Sequence, residues 1–170
     1  MERPRRNRRD EPREKSEYEE IVLKVKRCCK VVKGGKRFNF SALVTVGNKK
    51  GRVGYGHGKA KEVPFAVEKA IKAAKRNLFD IPIKDTTIPH RVEGKYGASR
   101  VIVRPACKGT GIIAGSAMRA VLELAGVENV LAKVLGSTNP MNVVRATVVA
   151  LQKLKTKKEI EESRGIVNAV

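Results

Sequence analysis

The sequence has no tryptophan, and its aromatic share is only 4% of 170 residues. Any core must therefore be built from valine, isoleucine, leucine and alanine, and few side chains are left to act as platforms for base stacking. Cysteine is scarce: Cys28 and Cys29 are adjacent, Cys107 stands alone, and there is no C-x-x-C pair. The two histidines, His57 and His90, complete no zinc ligand set with them. No metal site is expected, and the thiols are read as reduced in a cytosolic setting. No apolar run approaches the ~18 residues of a spanning helix, and the charged N-terminus lacks the apolar region of a signal peptide. Both membrane insertion and secretion are argued against.

Acidic side chains are also few, 17 against 37 lysines and arginines, for a net charge of +20. That excess exceeds what solubility requires and points to a polyanionic partner, with nucleic acid foremost. Its distribution is uneven. Residues 1–20 hold seven basic and seven acidic side chains, residues 21–84 carry a net +14, and residues 85–170 carry +6. The first segment is a polyampholyte tail and the second is the electrostatic centre.

Hydrophobic residues make up 41% of the chain, enough for a modest core. Apolar and polar residues alternate in 21–26 and 38–46, which predicts two half-buried strands. Between them, Gly34-Gly35 among Lys30, Lys33, Lys36 and Arg37 predicts a turn able to approach another backbone. The turn Gly47-Asn48-Lys49-Lys50-Gly51 leads into a third strand, where Gly54, Gly56 and Gly58 keep one face nearly free of side chains for a close neighbour. Pro64 then opens a helix whose apolar positions Val67, Ile71, Ala74 and Leu78 recur at helical spacing above a basic outer face. Pro82 marks a boundary.

Beyond it, strands are expected over 86–93 and 99–104 around a Gly94–Gly97 turn. A helix capped by Ser116 and ended by Gly126 should follow, then a strand over 129–135 and a helix opened by Asn139-Pro140. The predicted fold class is α+β: a β-β-β-α domain over 21–80 similar to the double-stranded RNA-binding fold, then a two-layer β-β-α-β-α domain over 85–155. Charged tails occupy 1–20 and 156–170.

The segment Gly109-Thr110-Gly111-Ile112-Ile113-Ala114 matches the G-x-G-x-x-A spacing of dinucleotide-binding sites. Too little parallel sheet is predicted after it for a mononucleotide-binding half. No lysine stands in a phosphate-binding P-loop, and no nucleophilic triad is visible. The reading is a non-enzyme without cofactor, metal or small-molecule substrate. Lys59 and Lys61, by contrast, flank the start of a helix, where positive charge meets free N–H groups and phosphate is the natural ligand.

Four motifs in one order carry a family resemblance: Val32-Lys33-Gly34-Gly35, Arg52-Val53-Gly54-Tyr55-Gly56, Gly109 to Gly115, and Gly136-Ser137-Thr138-Asn139-Pro140. Over residues 20–155 the chain closely resembles the bacterial small-subunit ribosomal protein five family. The resemblance implies binding to small-subunit ribosomal RNA between body and head and contact with ribosomal proteins four and eight. It further implies support of translational accuracy at the interface with protein four, and a cytoplasmic location in the ribosome. The segment Arg27 to Arg37 resembles the family's extended hairpin, with Cys28 and Cys29 departing from the small or polar residues expected there.

The residues assigned to RNA are Lys24, Lys26, Arg27, Lys30, Lys33, Gly34, Gly35, Lys36, Arg37, Lys49, Lys50, Arg52, Lys59 and Lys61. Arg100, Arg104, Lys108, Gly109, Thr110 and Gly111 are assigned to a protein interface or RNA. A free double-stranded RNA-binding regulator and a nucleotide-dependent enzyme using Gly109 to Gly115 are the competing readings.

Overall fold

The computed structural model describes residues 17–165; most of the N-terminal polyampholyte tail and the last five residues lie outside the described residues. The first sheet is antiparallel, in the order β1-β2-β3-β4, built from β1 (Glu19–Val32), β2 (Gly35–Gly47), β3 (Arg52–Ala60) and β4 (Leu78–Asp80). Helix α1 (Val63–Arg76) lies between β3 and β4 in the chain, with proline in its first turn as expected. The fourth strand was not anticipated. Leu78, expected on the helix, belongs instead to β4 and pairs with Gly54.

The alternating glycines of β3 explain how α1 packs. A Cβ at Gly54, Gly56 or Gly58 would stand 2.6, 2.0 or 2.1 Å from the carbonyl oxygens of Ala74, Ala70 and Ala66. Helix backbone thus lies almost directly on strand backbone. Alanine, with the smallest apolar side chain, forms the buried stripe of α1, while Val67 and Ile71 only flank it. The helical period was read correctly and Ala74 is buried as expected, but Ala66 and Ala70 take the buried places expected of Val67 and Ile71, because only small residues fit against glycine.

The second sheet runs β5 (Val92–Tyr96), β6 (Ser99–Pro105), β8 (Val130–Gly136), β7 (Ile112–Ile113), antiparallel except for the parallel β7–β8 edge. The strand expected over 86–93 starts later and includes Gly94. The true turn is Gly97-Ala98, because Gly94 must face α3 (Pro140–Gln152), where its Cβ would meet the Ala146 oxygen at 2.2 Å. Helix α2 (Ser116–Ala125) has Gly115, not Ser116, at its N-cap, and no side chain caps it. It ends at Gly126, φ 92°, as the sequence indicates. The stretch from 156 on, expected as a tail, begins with α4 (Lys157–Ser163), closed by a reciprocal capping box between Thr156 and Glu159.

Both helices α2 and α3 contribute to a core that also takes Leu43, Val53 and Ile81 from the first sheet and its exit. Strand β2 is consequently buried on both faces from Ala42 to Val46, with α1 over one and the second half of the chain under the other. The expected half-buried strand is fully enclosed at this end.

Gly56→Ala should cost about 3 kcal/mol, the upper range for overpacking against unyielding backbone, in urea unfolding followed by circular dichroism. Gly34→Ala, where an added Cβ meets nothing within 4 Å, should change the midpoint little.

Candidate nucleic-acid interface

The β1–β2 ladder continues to Val32↔Gly35, so the basic segment is a two-stranded arm turning at Lys33-Gly34, in keeping with the extended hairpin that the resemblance implies. Nothing in the described chain covers its distal half: β1 is exposed or half-exposed from Lys24 onward and β2 up to Ser41. No neighbouring atom approaches Gly34 or Gly35, so the close backbone contact expected of them is not made within this chain.

Strand alternation sorts the arm's charges. Leu43 faces the shared core, so Ser41, Asn39 and Arg37 lie on the same face, together with their cross-strand partners Lys26, Cys28 and Lys30; Lys24 pairs with Leu43 itself. Lys59 pairs with Ser41 and joins them. Five cations, Lys24, Lys26, Lys30, Arg37 and Lys59, thus share one face, and none has an ion pair among the described residues. A cavity of about 200 Å³ opens at its base between Lys24, Lys26, His57 and the start of α3 at Asn139–Met141. The opposite face, continuous with Ala42 and α1, carries Arg27 and Lys36 among Val25, Cys29, Val31 and Phe38.

Other predicted residues lie elsewhere. Lys49, Lys50 and Arg52 sit at the far end of β2, roughly 40 Å from the arm's turn at ~3.3 Å per residue. Two of these three are ion-paired: Lys49 with Glu19 and Arg52 with Asp80. The Arg52 guanidinium holds the Asp80 carboxyl below the usual carboxylate range and is itself raised by that partner. Lys61 follows β3 at the arm's end of the sheet, beside Glu62, the N-cap residue of α1, whose side chain makes no capping hydrogen bond but whose negative charge counters the positive helix end expected to attract phosphate.

In the second half, Arg100 and Arg104 project from β6 with Ile102 onto the outer sheet face, alongside Leu131, Lys133 and Leu135 of β8. Arg100 is bound to Glu93, which Arg91 also contacts. Lys108, Gly109, Thr110 and Gly111 form an exposed loop. Its fixed point is Asn129, which the sequence reading missed: Oδ1 accepts from the N–H groups of Gly109 and Gly111 at 2.9 and 3.1 Å, and Nδ2 donates to Thr86 Oγ1. Buried at 4% exposure, Asn129 gives the double-glycine segment a structural task. Because β7 has two residues and pairs only with β8, the G-x-G-x-x-A spacing stands outside the parallel βαβαβ setting that a dinucleotide site needs. Among the described residues no three His, Cys, Asp or Glu side chains are grouped to hold a metal, and no helix is long and apolar enough to cross a membrane.

The family described as "Ribosomal protein S5, N-terminal domain" matches residues 18–82, and "Ribosomal protein S5, C-terminal domain" matches residues 94–164. The chain belongs to the ribosomal protein S5 family. Relatives named "Small ribosomal subunit protein uS5" include one from Rubrobacter xylanophilus, 54% identical over 89% of this chain and 76% of its own length. Those from Marinobacter nauticus and Wigglesworthia glossinidia brevipalpis are 53% and 55% identical, each over 88% of this chain and 90% of the relative. In S5-family terms, the bare arm belongs to the N-terminal match and the Asn129-held loop to the C-terminal one.

Asn129→Ala should cost about 2 kcal/mol, since it removes the side-chain hydrogen bonds to the Gly109 and Gly111 N–H groups and to Thr86, and should speed amide exchange at Gly109 and Gly111 selectively. Arg100 and Arg91 hold the Glu93 carboxyl below its ordinary value of 4.5. A lowered carboxylate contributes stability above its unfolded-state pKa and loses it as pH falls through the folded value. Thermal unfolding of Glu93→Gln should therefore fall below that of the unaltered chain at neutral pH, and the gap should close below about pH 4.5.

Proposed function

We propose that this S5-family protein is a structural, non-enzymatic constituent of the small ribosomal subunit, located in the cytoplasmic ribosome, whose basic arm binds small-subunit ribosomal RNA between body and head. The observation that carries the reading is the shared face of Lys24, Lys26, Lys30, Arg37 and Lys59, five unneutralised cations on a rigid ladder. Side chains on one side of a strand repeat every ~7 Å, so Lys24, Lys26 and Lys30 form a row along β1 able to follow a phosphate backbone. Such contacts fix position on the backbone without reading base edges. Family membership and the names of the relatives support the same assignment.

In this reading the outer face of the second sheet, with Arg100 and Arg104, and the loop at Lys108–Gly111 meet protein neighbours. Ribosomal proteins four and eight are the candidates, and the interface with protein four supports translational accuracy. The mixture of exposed Ile113, Leu131 and Leu135 with basic side chains suits a protein surface better than a bare phosphate backbone.

Replacing Lys24, Lys26, Lys30, Arg37 and Lys59 together by alanine should weaken binding to small-subunit ribosomal RNA. It should also lower the slope of log affinity against log salt by about 3.5 to 4.5, at ~0.7 to 0.9 per phosphate contact. Replacing Lys49 and Arg52, already paired with acids, should change the slope by less than about 1. An unchanged slope in the fivefold variant would overturn the assignment, as would failure of the unaltered protein to co-sediment with small subunits in sucrose gradients.

A further inference from the structure

We propose that Phe38, clamped by Arg27 on the arm's second face, is a stacking platform for one unpaired nucleobase. The inference rests on the RNA-binding reading and assigns to the arm a contact other than phosphate.

The two residues meet across the ladder. Arg27 pairs with Phe40 and Phe38 with Cys29, so the Arg27 guanidinium reaches diagonally over the Phe38 ring, 4.8 Å from its centre. Such a cation–π contact orients the ring and holds the guanidinium plane beside it. Phe38 nevertheless remains 47% exposed, far more than a ring packed for stability alone would be. The rim is apolar on its other sides, made by Cys29 directly opposite and by Val31 on the diagonal, the latter 68% exposed. Lys36, opposite Val31, adds positive charge on the same face.

Unpaired bases in RNA are held by stacking on aromatic rings and on arginine planes, and here one of each is assembled on a surface whose reverse carries the phosphate-binding row. A base rather than an apolar protein surface is favoured by that charge. Arg27, Lys36 and the lysines behind them would have to be desolvated against a protein, whereas a nucleotide brings its own compensating phosphate. Phe65, also exposed at 54%, has no cation over its ring among the described residues. Scarcity of aromatics in the composition therefore does not exclude stacking at one chosen position.

The chain contains no tryptophan, so Phe38→Trp places a single tryptophan at the site, which can be excited apart from the three tyrosines. Titrated with protein-free small-subunit ribosomal RNA, the full-length Phe38→Trp protein should show strong quenching at saturation. Phe38→Leu should bind that RNA about tenfold more weakly, the size of one lost base stack, with the salt slope unchanged, and Phe38→Tyr should restore affinity. Arg27→Lys should also weaken binding, since it removes the guanidinium plane while leaving the charge. Unquenched emission alongside salt-dependent binding would overturn the platform and leave the phosphate reading standing; loss of the salt slope itself would remove both. If Phe38→Leu binds naked RNA normally and is lost only from assembled subunits, a protein covers the ring and the proposal fails.

Discussion

The reach of the basic arm depends on one joint, where the turn after β2 is laid against the last turn of α2. A helix ends with carbonyls that have no partner of their own. Here Leu124 and Ala125 direct theirs to the N–H groups of Lys49 and Gly51, at 2.9 and 2.8 Å. The approach is close enough that a Cβ at Gly47 would lie 2.3 Å from the Leu124 oxygen, and one at Gly126 would lie 2.1 Å from that of Lys49. Backbone meets backbone from both sides, and the shared core around Leu43, Leu122 and Leu124 closes beneath. The joint fixes the direction in which β1 and β2 leave the body, and with it the angle between the arm and the Asn129-held loop.

The same device, glycine opposite a helix, recurs at Gly54, Gly56 and Gly58 under α1 and at Gly94 under α3. It suits a chain with no tryptophan and few other aromatic side chains to fill space. Close packing of small residues gives the layers rigidity that a loosely filled valine core would lack. Its consequence for function is mechanical. The proximal part of β2 is buried on both faces while the distal part is bare, so the arm is a cantilever with a stiff root and a surface free to meet a partner.

Charge on the bare part then has a direction. Lysines at alternate positions of β1 fall on one side of the ladder, whereas the intervening Arg27 falls on the other beside Phe38 and Val31. At the root, Lys49 and Arg52 are instead paired with Glu19 and Asp80. A second sheet covered by helices on one face presents Arg104, Leu131 and Lys133 on the other, a mixed surface of a different character.

Local chemistry made much of this legible in the chain itself. Net charge located the electrostatic centre, the prolines at 64 and 140 marked helix starts, Gly126 marked a helix end, and the glycine row of β3 announced a close neighbour without naming it. Long-range pairing decided the rest. Strand β4 has only three residues, too few for periodicity, and exists because β3 offers an open edge. Asn129 looked like the first residue of a strand; only folding brought the amides of Gly109 and Gly111 to its side chain. Which lysines share a face depends on the register of β1 against β2, including the irregularity between Val22 and Lys24, since a shift of one residue moves every side chain to the other side. Sequence by itself determined that this protein is basic, small-cored and suited to a polyanionic partner, because those follow from composition; tertiary structure alone decided which cations share a face and which are neutralised, because that is a property of register and contact.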